Sequence, residues 1–155
     1  MSESGSLTTA VTIELDAPTA FDRFTLAMSR WWPSDYTWSQ GALQSIQIDP
    51  RPGGFCTELG PHGFRSDFGR VLEVEAGKRI VFTWQISLQR VPQPDPSCAS
   101  EVEVQFEPIR AKTTKVTLEH RHFDRHGEGA EAYREQMASE YGWPLLLAAF
   151  AQPTT

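Results

Sequence analysis

Between Glu101 and Pro108 the chain alternates without a slip, with Val102, Val104 and Phe106 apolar and Glu101, Glu103, Gln105 and Glu107 polar or charged. A period of two sends alternate side chains to opposite faces of an extended strand, so this segment reads as part of a sheet with one face in a core and the other in water. The next strand follows the same rule. Val116 and Leu118 fall on the core side, Lys115, Thr117 and Glu119 on the other, and continued parity places His120 and His122 inward.

Further alternating or short apolar runs, separated by turn residues, predict strands over Leu43 to Asp49, Gly54 to Leu59, Ser66 to Glu75, Arg79 to Leu88 and Lys112 to His122. In the strand from Arg79, Ile80, Phe82, Trp84 and Ile86 share one face, and Val81 on the other implies that both are covered. Near the start, Val11, Ile13 and Leu15 alternate with Thr12, Glu14 and Asp16, which predicts one more strand. A helix should follow it. Pro18 suits a first turn, Thr19 with Asp22 resembles a capping box, and Phe21, Phe24, Met28 and Trp31 or Trp32 recur at helical spacing. Pro33 ends that pattern and opens an aromatic loop carrying Tyr36 and Trp38. The final segment returns to helical spacing with Tyr133, Met137 and Tyr141, then an apolar run from Trp143 to Phe150, which predicts one long C-terminal helix kinked at Pro144.

Strand, helix, six strands, helix is the order of an α+β domain in which an antiparallel sheet is covered by a helix. A chain of 155 residues needs only one core. The expectation is a single domain over residues 7–151, with 1–6 and 152–155 as flexible termini. With 14 Lys and Arg against 20 Asp and Glu, the formal charge is −6, which argues against a nucleic-acid partner. No apolar run reaches the length that spans a bilayer and no signal-peptide pattern opens the chain, so no membrane insertion and a cytoplasmic location are expected. Cys56 and Cys98 stand apart without a zinc or redox motif, and GxSxG, HExxH and phosphate-loop patterns are missing, so neither a metal, nor a cofactor, nor catalytic residues are assigned.

Two inward imidazoles demand hydrogen-bond partners, because an unpaired buried polar group costs about 1–3 kcal/mol. Satisfied core histidines are the first reading of His120 and His122, polar anchors in a ligand cavity the second, and metal ligands the third. Five tryptophans supply rigid apolar surface, equally suited to core filling and to lining a cavity.

Several motifs, in order along most of the chain, resemble a known family. They are Phe24-Thr25 to Arg30-Trp31-Trp32-Pro33, Arg51-Pro52-Gly53-Gly54, Gly69-Arg70-Val71-Leu72, Arg79 to Trp84, Glu101 to Val104, Leu118-Glu119-His120-Arg121 and Gly142-Trp143-Pro144. The set is similar to the Hsp90-ATPase-activator-homologue branch of the START-like (SRPBCC, Bet v 1-like) superfamily. That resemblance implies the helix-grip fold, a curved antiparallel seven-stranded sheet wrapped around a long C-terminal helix, with an apolar cavity between them. It implies a hydrophobic or amphipathic small-molecule ligand and no shared catalytic residue set. On that basis the expected cavity residues are Trp32, Phe68, Phe82, Trp84, Phe106, His120, His122 and Tyr141. A cyclase-, aromatase- or hydrolase-like enzyme using a cavity histidine is one alternative, and a chaperone-contacting regulator presenting the loop from Trp31 to Trp38 is another. An open sheet edge also leaves a homodimer as an option.

Overall fold

The computed structural model describes residues 6–152. The flexible termini expected from sequence fall largely outside the described residues, at 1–5 and 153–155. Seven strands, β1 (Leu7–Ile13), β2 (Ser45–Ile48), β3 (Phe55–Leu59), β4 (Arg65–Glu75), β5 (Arg79–Trp84), β6 (Ser100–Arg110) and β7 (Thr113–Arg121), form one antiparallel sheet in the order β1-β7-β6-β5-β4-β3-β2. Register shifts at Cys56/Thr57, Val71/Glu73 and Pro108/Arg110 mark bulges, which bend strands and let the sheet curl around its cover.

Parity holds on the central strands. Val102, Val104, Phe106, Val116, Leu118 and His120 are all buried, and Val81 is buried as well, so both faces of β5 are covered. On the outer face Arg79 and Arg121 each bond Glu103 at 2.5 Å, and Arg121 and Arg125 both reach Glu101. This ladder pairs Arg121 and Arg125, at and just beyond the end of β7, with carboxylates of β6.

The first helix, α1 (Ala17–Phe24), begins one turn differently from the sequence expectation. Asp16 is the N-cap and its carboxylate accepts the Thr19 N–H at 2.9 Å, while Pro18 occupies the first turn. The α-helix stops at Phe24, and a tight turn over Met28–Arg30 carries the apolar stripe onward, so Phe21, Phe24, Met28 and Trp31 are nevertheless all buried.

The C-terminal helical stretch comes as two pieces, α2 (Ala130–Ala138) and α3 (Trp143–Ala151). Pro144 does not kink a continuous helix; it sits in the first turn of α3, where its missing N–H breaks no helical bond. Gly142 makes the break possible, since a Cβ there would lie 2.2 Å from the Met137 carbonyl oxygen. Arg23, almost fully buried on α1, donates to the carbonyls of Phe150 (2.7 Å) and Gln152 (3.1 Å) and so closes the C-terminal end of α3. Arg23 thus ties the C-terminal end of α3 to α1. Trp143, Leu146, Leu147 and Phe150 point into the core.

Candidate ligand cavity

A cavity of about 690 Å³ opens where the inner face of β2 to β5 meets the segment from Trp32 to Gln40 and the turn between α2 and α3. Ile46, Phe68 and Trp84 line it from the sheet, Trp32, Tyr36 and Trp38 from the loop, Met137 and Leu146 from the helices, and Tyr141 from the turn between them. A few polar groups interrupt this surface, chiefly Glu58, Arg90, Gln136 and Asp35. That mixture, aromatic and aliphatic walls broken by several polar groups, is compatible with an amphipathic small-molecule site.

Of the eight residues expected from sequence, Trp32, Phe68, Trp84 and Tyr141 line the cavity. Tyr141 lies at the rim, 68% exposed. Phe82, Phe106, His120 and His122 are not among its lining residues. Phe106 is inward but lies farther along the sheet, edge-on to Phe21 and Phe24 at 5.4 and 6.1 Å. Phe82 is buried in the core. His122 corrects the parity argument: β7 ends at Arg121, the next residue turns left-handed with φ 63°, and the imidazole is exposed while Phe123 takes the inward position.

His120 is the satisfied core histidine. It is fully buried, and both ring nitrogens are engaged, Nδ1 with the Trp143 indole at 2.9 Å and Nε2 with Ser100 Oγ at 2.6 Å. An indole N–H can only donate, so Nδ1 accepts and the ring proton sits on Nε2. Ser100 Oγ then accepts from His120 and donates to Nε2 of His126 at 2.8 Å. The Ser100 main-chain N–H points at that same nitrogen at 3.3 Å, which agrees with its being unprotonated. Burial holds His120 well below the ordinary histidine pKa, aided by His126, whose own pKa burial also lowers. The chain Trp143 to His120 to Ser100 to His126 is thus a neutral hydrogen-bond line through the core that uses both ring nitrogens of His120. No cluster of metal-ligating side chains occurs among the described residues.

Neighbouring groups are equally committed. Trp84 donates its indole N–H to the Tyr133 hydroxyl at 2.8 Å, and that hydroxyl donates to the Ile86 carbonyl at 2.8 Å. Burial pushes the Tyr133 phenol up. Trp84 therefore offers the cavity only its ring face.

The sequence reading missed Glu58 and Arg90. Glu58 is 1% exposed, and its two oxygens accept the main-chain N–H groups of Trp38 (3.1 Å) and Ser39 (2.7 Å). Among the described residues no basic side chain pairs with it. The signal was present in β3, where alternation is inverted: Phe55 and Leu59 face out, Cys56 and Glu58 in. Arg90 stacks over Tyr133 at 5.2 Å and donates to Gln136 Oε1 at 3.3 Å, and its carbonyl accepts the Trp38 indole N–H at 2.6 Å. No sequence periodicity marks Arg90; its backbone is left-handed, at φ 63°.

The fold, with an open pocket between the sheet and its cover, is that of a helix-grip domain of the START-like class. The family model described as "Activator of Hsp90 ATPase homolog 1-like protein" matches residues 19–153, and the chain belongs to that family. Among solved structures it is similar to the anthrahydroquino-γ-pyrone synthase Txn09, solved as a complex, with 28% identity, TM-score 0.68, and 97% of this chain and 98% of that one covered. It is also similar to CalC, a self-sacrificing resistance protein from Micromonospora echinospora, with 28% identity, TM-score 0.66, and coverage of 96% and 92%. An Hsp90 activator from Plasmodium falciparum shares the fold at 21% identity and TM-score 0.50, over 76% of this chain and 72% of that one. No curated protein matches the sequence.

Proposed function

We propose that the protein binds a planar, hydrophobic or amphipathic small molecule in the cavity between the sheet and the C-terminal helices. One observation carries the reading: a cavity of about 690 Å³ whose walls include the rings of Trp32, Trp38, Phe68 and Trp84. Aromatic faces stack on flat ligands at little entropic cost, because the rings are already held in place. Trp32 rests against Trp84 and Trp143, at 6.4 and 6.1 Å between ring centres. The similarity to a synthase named for a fused-ring product supports a polycyclic ligand.

Geometry favours this over the two alternatives raised by the sequence. A histidine-based enzyme would need an imidazole on the cavity, whereas His120 is consumed by Trp143 and Ser100 and His122 faces solvent. A chaperone contact through the aromatic loop would need an exposed patch, whereas Trp31 and Trp32 are buried and the Trp38 indole turns to Arg90. The loop forms a wall of the cavity instead.

Native mass spectrometry of the purified protein, with a denaturing run as control, should detect a non-covalent small-molecule adduct. Tryptophan fluorescence titrated with 1-anilinonaphthalene-8-sulfonate should saturate at one equivalent. Trp38→Ala should weaken that binding roughly tenfold, equivalent to the loss of one stacking contact of about 1.4 kcal/mol, with thermal melting run beside it because the indole also packs on the core and bonds the Arg90 carbonyl. A protein that neither retains an adduct nor binds the dye would overturn the reading.

A further inference from the structure

We infer that Glu58 selects the ligand's chemistry: the cavity takes an aromatic molecule carrying a hydrogen-bond donor, a phenolic hydroxyl or an ammonium, that docks on this carboxylate. The inference rests on the proposed ligand-binding function and deepens it.

A carboxylate has about four acceptor positions on its two oxygens. Glu58 uses one on each oxygen, for the N–H groups of Trp38 and Ser39. Glu58 also lines the cavity, and the indole N–H groups of Trp84 and Trp38 nearby are committed to Tyr133 and to the Arg90 carbonyl. Burying a carboxylate without full compensation is costly, and a packed hydrophobic residue at this position would be cheaper for stability alone. Cys56, the neighbouring inward residue of β3, is such an apolar choice.

Another buried polar group lies directly across the strand pair. Ser66 is paired with Glu58 in the β3–β4 register, so its side chain shares the same face. Its hydroxyl is buried, the residue 7% exposed, and has no hydrogen-bond partner among the described residues. Ser66 is not among the residues that line the cavity, so it adds a second uncompensated polar group behind the wall, and the requirement for a donor rests on Glu58, which does line it.

Arg90 lines the same cavity and has no carboxylate partner among the described residues. It disfavours a cationic ligand. Asp35, exposed on the cavity lining, works in the opposite sense. The two forms of donor are therefore separated by experiment.

Affinities of the unmodified protein for 2-naphthol, its methyl ether 2-methoxynaphthalene, and 2-naphthylmethylammonium would be measured by tryptophan fluorescence and calorimetry. The ether keeps the ring and the oxygen and lacks only the donor. The hydroxyl form should bind roughly 10- to 100-fold more tightly than the ether, the range expected for a hydrogen bond to a charged acceptor in a buried site. Preference for the ammonium alone over the ether would support the donor requirement and identify a cationic head. Equal affinity for all three would overturn the inference while leaving the cavity as a ligand site; no binding by any of them would count against both. In Glu58→Gln the preference for naphthol over its ether should shrink at least several-fold, with the folded state verified by thermal melting. Retention of the full preference in that variant would also overturn the role of Glu58.

Discussion

The inner face of the sheet is covered in two different ways along its length. Around Phe106 the cover is dense: Phe24 meets Trp31 and Phe150 at ring distances of 5.3 and 5.4 Å, Trp31 meets Phe150 at 5.1 Å, and Phe21 closes on Phe106. Around Phe68 and Glu58 the same sheet is roofed by a loop of tight turns over Ser34–Tyr36 and Gln40–Ala42 and by the break between α2 and α3. Helices deliver long apolar side chains at every turn to a facing sheet, whereas a loop and a helix break deliver few. The hollow end is a consequence of what covers the sheet, not of the sheet itself. Trp143 and His120 stand at the boundary, where the filled end stops.

Breaking the filled end should have the largest effect. Trp143→Ala removes a fully buried indole and strands the His120 Nδ1 acceptor, so denaturant unfolding should show a loss of about 3–5 kcal/mol, with ligand binding failing as the boundary collapses. A loss under 1 kcal/mol would mean that the two ends do not share this wall.

The next effect is a pH dependence of the filled end. His120 is held well below its ordinary value of 6.5 in the folded protein and is free to protonate near that value when unfolded. The unfolded chain therefore binds more protons as pH falls, and stability that is fully present above about pH 6.5 is lost below it, at up to about 1.4 kcal/mol per pH unit. Half-exposed His126 adds a smaller contribution of the same sign. Urea midpoints measured from pH 7.5 to 5 should fall, and His120→Gln should flatten the slope while lowering stability at pH 7.5 by about 1–3 kcal/mol. An unchanged slope in that variant would mean that another group sets the acid limit.

The smallest effect should come from the hollow end. The Tyr36 hydroxyl donates to the Tyr141 carbonyl at 2.9 Å and ties the loop to the turn between α2 and α3. Since Tyr36 is 41% exposed, Tyr36→Phe should change stability by less than about 0.5 kcal/mol. Stopped-flow dilution should nevertheless show faster release of a bound dye, because this bond ties the loop wall down over the cavity. Unaltered release would mean that the loop is held by other contacts, of which the Trp38 and Ser39 N–H bonds to Glu58 are the nearest.

Much of the architecture was legible because it depends on local periodicity. Strict alternation in β6 and β7 located the core face, and the helical spacing of Phe21, Phe24 and Met28 found the first cover. Alternation failed where a strand ended. His122 kept its parity in the sequence, but parity has meaning only while the backbone stays extended, and a left-handed residue there reversed it. The helical pattern runs through Pro144 and so predicts a kink there; Gly142 just upstream is the start signal that outweighs the pattern.

The candidate site was legible only in part, for a related reason. Trp32, Phe68, Trp84 and Tyr141 were reachable because aromatic residues on an inward face either fill a core or line a cavity. Phe106 and His120 satisfied the same criterion and belong to the filled end, so side-chain chemistry could not separate the two outcomes. Glu58 went unassigned because a single glutamate in a short strand carries no pattern beyond its inverted neighbours.

By itself, then, the sequence determined the α+β class, the inward faces of the central strands and, through an ordered set of motifs, the family. Each is a local property, set by which side of the backbone a residue leaves. Tertiary structure alone decided where space remained. The volume between the sheet and its cover depends on how α1, the loop and the two C-terminal helices meet across distant parts of the chain. Whether an inward ring meets another ring, a histidine or an opening is settled only by that meeting.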